Sequence, residues 1–291
     1  MNEKKSKKII SVCLLLLGMI VISVFSVSAA SNPKSVNLRV GSNRQNVYKS
    51  YDITGDNQVD QINIAVGYGN KIDKKDSNGY YNNIFVSIND KTQILKTGYF
   101  YSARAKLYTL SNGKPYLFLE TSSDNDYHEI SGLFSYNRSK KKIEPAADFT
   151  SLFNGYAGRS AGTIVKMNGN TITVRYGMMS YSLGGCNIDY NYTYKNGKLV
   201  RTSYYGKLIS ISKKQGNSNV LTAKRNLIAY TAPGTAKKSF TIKKGESVKI
   251  LQVWKKNTSL YIKVLYGGKY GWIKAAGINT SKQFSDVAYA G

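Results

Sequence analysis

Apolar and polar residues alternate with period two along most of this chain, the spacing of strands with one face toward a core. The pattern is plainest in QINIAV (61–66), YLFLET (116–121) and TITVRY (171–176), each preceded by a turn dipeptide: Asp56-Asn57, Asn112-Gly113 and Asn168-Gly169. Those dipeptides stand 56 residues apart, and at the same offset Ile62, Phe118 and Val174 fall in register. Each stretch is followed by a second hairpin, VSINDKTQILK (86–96), FSYNRSKKKIEP (134–145) or YTYKNGKLVRTS (192–203). In the last of these Asn196-Gly197 favours a primed turn. The pattern predicts three four-stranded antiparallel meanders, since a fixed period of this length marks a repeated supersecondary unit.

From Asn226 to Ile278 the alternation shortens into five strands within LIAYTAP, SFTIKKGESVKILQVW and LYIKVLYGGKYGWIKA, broken by Pro-Gly, Lys-Gly, Asn and Gly-Gly turns. Residues 209–225, rich in Ser, Lys, Asn and Gln, read as a linker, and 279–291 as a tail. At the other end, Lys4, Lys5, Lys7 and Lys8 precede an apolar run from Ile9 to Val27, and Ser28-Ala29-Ala30 supplies small residues for cleavage before Ser31. Residues 1–30 therefore read as a secretory signal peptide, with an uncleaved anchor as the alternative. Cys13 lies early in that run without the small residue a lipobox needs before it.

The formal charge is +26, and losing the four lysines and Glu3 with the signal leaves +23. From Asn217 to Gly291 thirteen Lys and Arg face only Glu246 and Asp286, a net of +11. Such a chain attracts polyanions, and export points to anionic wall polymers of the teichoic-acid kind rather than chromosomal DNA, although an extracellular nucleic acid would satisfy the same electrostatics. The alternative is charge that serves solubility alone. Oligomeric state has no signature in the sequence.

Four features of the first repeat and the C-terminal region carry resemblances. Asp52-Ile53-Thr54-Gly55-Asp56-Asn57-Gln58-Val59-Asp60 puts oxygen side chains at Asp52, Thr54, Asp56 and Asp60, with the Gln58 carbonyl between them. This resembles the calcium loop of FG-GAP or VCBS-type repeats of secreted bacterial proteins, whose blades belong to propeller-like sheets. The resemblance implies calcium at Asp52, Thr54, Asp56, Gln58 and Asp60, hard oxygens suited to that ion. The other reading makes Asp52 and Asp56 ordinary turn formers that bond their own backbone. Lys244-Gly245-Glu246, Tyr261-Ile262-Lys263-Val264 and Gly268-Lys269-Tyr270-Gly271-Trp272-Ile273 resemble the bacterial SH3-like domain. That resemblance implies attachment to peptidoglycan or its stem peptides, with Tyr230, Trp254, Tyr261 and Trp272 as candidate contacts. In such barrels Trp272 is more often a core anchor than a ligand contact.

The expected fold is thus all-β: a signal peptide (1–30), blade-like antiparallel repeats of period 56 (31–208), a linker (209–225), an SH3-like β-barrel (226–278) and a tail (279–291). Catalysis has little to work with. His128 is the only histidine and Cys186 the only cysteine after residue 30, so metal clusters of His and Cys are excluded by count, and no disulfide forms within the mature chain. Cys186 follows Gly184-Gly185 and precedes a strand pattern, not the helix start that activates a thiol. No H-E-x-x-H, G-x-S-x-G or phosphate-binding glycine motif occurs. A carboxylate pair acting on a glycan stays open as an alternative, as does a calcium-stabilised adhesin. Tyr190, Tyr192 and Tyr194 share one strand face, placed either to stack on a sugar or to pack a sheet.

Overall fold

The computed structural model describes residues 34–41, 45–47, 51–110, 113–124, 128–157, 160–195, 198–215, 218–278 and 280–288. The signal-like segment 1–30, Cys13, Asn112 and Asn196-Gly197 lie outside them. The described residues form β-strands and no α-helix.

Strand β1 (Lys34–Leu38) stands apart in sequence from the sheet it joins. The first sheet runs β2 (Gln45–Val47), β3 (Gln61–Tyr68), β5 (Tyr81–Ile88) and β6 (Lys91–Phe100), with β4 (Lys71–Ile72) on the edge of β3. The second runs β7 (Ser102–Thr109), β8 (Pro115–Ser122), β9 (Ser131–Asn137) and β10 (Lys142–Asp148), and β1 pairs with β7. The third opens with β11 (Ala161–Asn168), β12 (Thr171–Ser180), β13 (Gly184–Lys195) and β14 (Lys198–Arg201). Each is a meander of antiparallel neighbours. Asn57, Gly113 and Gly169, ahead of β3, β8 and β12, all have positive φ, 68°, 73° and 56°. Glycine and asparagine accept that backbone region at least cost.

Alternation along the second sheet explains how the three fit together. Ala105, Leu107, Leu117, Leu119, Phe134 and Ile143 point into a core shared with Ile62, Ile64, Val66, Ile84, Val86 and Ile88 of the first sheet. Their neighbours Tyr108, Tyr116, Phe118 and Leu133 point the other way, into a core with Ile172, Val174 and Tyr176 of the third. A sheet buried on both faces explains why β8 is covered from Tyr116 to Thr121.

The third sheet continues through β15 (Tyr205–Ile211), which pairs with β13 and with β19 (Ser247–Lys256). Beyond β19 come β20 (Ser259–Tyr266), β21 (Lys269–Lys274), β17 (Leu227–Tyr230) and β18 (Lys238–Ile242), while β16 (Val220–Thr222) pairs with the start of β19. The expected closed barrel is not formed. A strand has two edges, and one edge of β19 is taken by β15 and β16, the other by β20. Among the described residues β18 pairs only with β17 and β11 only with β12, so the sheet stays open.

The stretch read as a linker holds the end of β15 and all of β16, and places Ile211, Leu221 and Ala223 in the core. The stretch read as a tail adds Phe284 and Val287, both 0% exposed, bridged to Ala223 and Lys213. Residues Asn32–Gly291 form one compact unit.

Candidate ligand-binding face

Register decides which aromatics meet, because directly opposed residues of an antiparallel pair share a face, as do residues two apart on one strand. Tyr205 lies opposite Trp254, and Trp254 opposite Tyr261. Lys263 lies opposite Trp272, and Trp272 opposite Tyr230. One face of β15, β19, β20, β21 and β17 therefore carries all four aromatics expected from sequence, Tyr230, Trp254, Tyr261 and Trp272, along with Tyr205, Lys263 and Tyr270. The reverse face carries Val253, Ile262, Ile273 and Ala229, none more than 1% exposed. That difference separates core from surface.

The rings form two levels. Trp272 and Tyr261 are buried, 7% and 9% exposed, and Trp254 and Tyr230 are half-buried. Above them Tyr204, Tyr205 and Tyr270 are 46%, 46% and 61% exposed. Trp254 meets Tyr261 edge-on at 5.8 Å and 73°, and Tyr204 at 6.1 Å. Tyr205 reaches Trp272 at 5.8 Å with β19 and β20 between their strands. Cations sit over ring faces: Lys263 Nζ at 5.3 Å from Tyr270 and 5.9 Å from Trp272, and Lys256 Nζ at 5.1 Å from Tyr204. Among the described residues neither lysine forms an ion pair with a carboxylate. Arg201 lies 5.7 Å from Tyr204 and donates from Nη2 to the Lys255 carbonyl at 2.7 Å. Burial, and then Arg201 itself, holds the Lys255 ammonium below its usual pKa. A surface of flat rings capped by unneutralised cations has the chemistry to take a planar or sugar-like ring with an anionic substituent.

Tyr204, Tyr205, Tyr270 and Lys263 were not singled out from the sequence. Tyr270 and Lys263 had a signal, being two residues from Trp272 and Tyr261. Tyr204 and Tyr205 had none, because β15 meets β19 across more than forty residues of chain.

The calcium-like loop is closed by its own hydrogen bonds. Asp52 Oδ1 accepts from the Gly55 amide and from the Asp56 amide at 3.0 Å, and its Oδ2 from Asn57 at 2.7 Å. Asp60, 1% exposed, accepts from the Thr54 amide at 2.8 Å, the Thr54 hydroxyl at 3.2 Å and Asn89 Nδ2 at 2.8 Å. Asp56 Oδ1 accepts from the Gln58 amide at 2.9 Å. Arg138 packs over Gly55 and donates from Nε to the Thr54 carbonyl at 2.7 Å. Asp52, Thr54 and Asp60 thus converge, whereas Asp56 and Gln58 bond to each other. Among the described residues no three His, Cys, Asp or Glu are grouped to hold a metal ion.

Cys186 is buried at 4% exposure, and burial pushes its thiol pKa up to about 12, the opposite of an activated nucleophile. His128 Nδ1 lies 2.5 Å from the Thr121 carbonyl, at the end of β8. In the tyrosine stripe of β13, Tyr190 is 1% exposed and packs on Phe153 and Tyr176 at 6.2 and 6.1 Å, while Arg201 covers its ring at 4.9 Å. That stripe packs the sheet.

Comparison with protein-family models, with curated proteins and with solved structures gives no match for this chain.

Proposed function

We propose that this is an exported, non-catalytic, cell-wall-associated binding protein that holds peptidoglycan or an anionic wall polymer on the aromatic and lysine-bearing face of β15, β19, β20, β21 and β17. The observation that carries the reading is the assembly of Trp254, Tyr261, Trp272 and Tyr230 on one face under Lys256 and Lys263. Aromatic rings supply contact area at low entropic cost, and the lysines attract a polyanion over distances the rings do not reach. The net charge of +11 over residues 217–291 points the same way.

The finer parts of the reading are the SH3-like kinship of residues 226–278 and the blade-like repeat of period 56 in the three meanders. Calcium at the 52–60 loop also belongs to the proposal, with Asp52, Asp56 and Asp60 supplying the charge that favours a hard cation.

The test is retention of the purified mature protein on isolated cell walls, with and without teichoic acid, for the wild type and for Trp254→Ala. Retention that Trp254→Ala weakens, with no soluble wall fragments released, is the expected result. Release of fragments would replace this reading with the glycan-acting one, and no retention on either wall preparation would remove it.

A further inference from the structure

A second aromatic cluster lies where the first sheet passes into the second. Tyr80 precedes β5, Tyr99 is the last residue but one of β6, Tyr101 links β6 to β7, and Asp124 follows β8. The Tyr80 and Tyr101 rings are stacked, 4.6 Å apart at 23°, and Tyr99 meets Tyr80 edge-on at 6.0 Å. Both stacked phenols donate to the same carboxylate: Tyr80 to Asp124 Oδ2 at 2.7 Å and Tyr101 to Asp124 Oδ1. The two hydroxyls are 2.9 Å from each other. Despite this ordering the cluster is not buried, with Tyr99 54% and Tyr101 40% exposed. Next to it a cleft of about 470 Å³ is lined by Tyr68, Tyr99, Asp76, Asn78, Lys71 and Lys75.

Exposed rings clustered by chance have free rotamers, whereas here hydrogen bonds fix Tyr80 and Tyr101 before any ligand arrives, so binding would cost less side-chain entropy. Fixed, solvent-facing phenols present an apolar, electron-rich surface that suits the C–H face of a pyranose. A carboxylate at the rim of that surface accepts hydrogen bonds from ring hydroxyls or an acetamide N–H, and charge-assisted bonds of this kind are the stronger ones. The Tyr101 and Tyr80 hydroxyls hold the Asp124 carboxyl below its usual range, so the acceptor is ionised throughout neutral pH.

We propose that this cluster binds a pyranose ring of a glycan chain, with Tyr99 and Tyr101 as the stacking surface and Asp124 as the hydroxyl or acetamide acceptor. The site is built from residues 80–124 and does not depend on the C-terminal face. The experiment follows the tyrosine ring signals of the full mature chain by NMR during titration with tri-N-acetylchitotriose and, separately, with maltotriose. Saturable shifts of Tyr99 and Tyr101 with either sugar are expected, with a Kd in the millimolar range or tighter. Tyr99→Ala, at a mostly exposed position, should leave the melting temperature near that of the wild type and weaken binding roughly tenfold. Asp124→Ala should weaken it as well, while wall retention through the C-terminal face stays as in the wild type. Absence of shifts with both sugars up to roughly 10 mM, or equal affinity in wild type and Tyr99→Ala, would overturn the proposal.

Discussion

Trp254 on β19 lies directly opposite Tyr261 on β20, its indole edge-on to the phenol with ring centroids 5.8 Å apart. Trp254 is half-buried and Tyr261 buried, so one ring of the pair supports and the other is presented. This asymmetry sets the first prediction. Trp254→Ala and Tyr205→Ala should reduce wall retention several-fold while lowering stability by about 1 kcal/mol or less each. Trp272→Ala, which empties a buried position, should cost about 3–5 kcal/mol and lose retention through unfolding. Retention assays paired with thermal melts separate the two classes. Equal melting losses in all three variants would mean that the exposed ring edges are structural.

Among the described residues Lys256 and Lys263 stand over aromatic faces without carboxylate partners, which leaves them open to a polyanion. Retention on walls carrying teichoic acid should fall steeply between low and physiological salt, where the screening length drops to about 8 Å. Lys263→Gln together with Lys256→Gln should flatten that dependence. A salt-insensitive retention would point to a neutral stem peptide instead.

Phe284 is 0% exposed and bridges to Ala223 although its segment has the look of a tail. Phe284→Ala should therefore cost about 3–5 kcal/mol, read from denaturant unfolding. An effect near zero would show the segment to be dispensable.

Asp286 anchors the same segment, accepting from the Thr222 amide at 3.0 Å and pairing with Lys213 at 2.8 Å. Burial opposes its ionisation, but the Lys213 ammonium and the Thr222 amide outweigh burial and hold its pKa below the ordinary 3.8. A carboxyl depressed in the folded state contributes stability above its unfolded pKa and loses it as pH falls through the folded one. Wild type should thus lose more stability than Asp286→Asn as pH drops below about 4. Parallel losses in the two proteins would remove Asp286 from the account of acid sensitivity.

At the 52–60 loop, calcium at ten times its dissociation constant would add about 1.4 kcal/mol. In a chain of this size that corresponds to roughly 3–5 °C in melting temperature. The rise is expected in wild type and not in Asp56→Ala. Identical responses would leave a loop held by Asp52 and Asp60 through backbone amides alone. Asp60→Ala removes a buried carboxylate that accepts from three donors, the Thr54 amide, the Thr54 hydroxyl and Asn89 Nδ2, and should destabilise by about 2–3 kcal/mol with or without calcium.

Period-two alternation was enough to read the strands of the three meanders and of residues 227–274, though not β1, β15 or β16, because a half-buried strand must place every second residue in the core. For the same reason the three meanders, their turns at Asn57, Gly113 and Gly169, and the antiparallel all-β class were legible in local residue order. Local order also marked Trp254, Tyr261 and Trp272, which stand within a few residues of tight turns. Three outcomes were decided only by tertiary structure. Pairing of β15 with β19 occupied the edge a barrel needs and brought Tyr204 and Tyr205 beside Trp254 and Trp272. Packing drew Phe284 and Val287 into the core. The bonding of Tyr80 and Tyr101 to Asp124 joined residues from three separate connections. None of these is a property of a short window: each depends on which edge or cavity remained free once the local strands had formed, and alternation is silent on that competition.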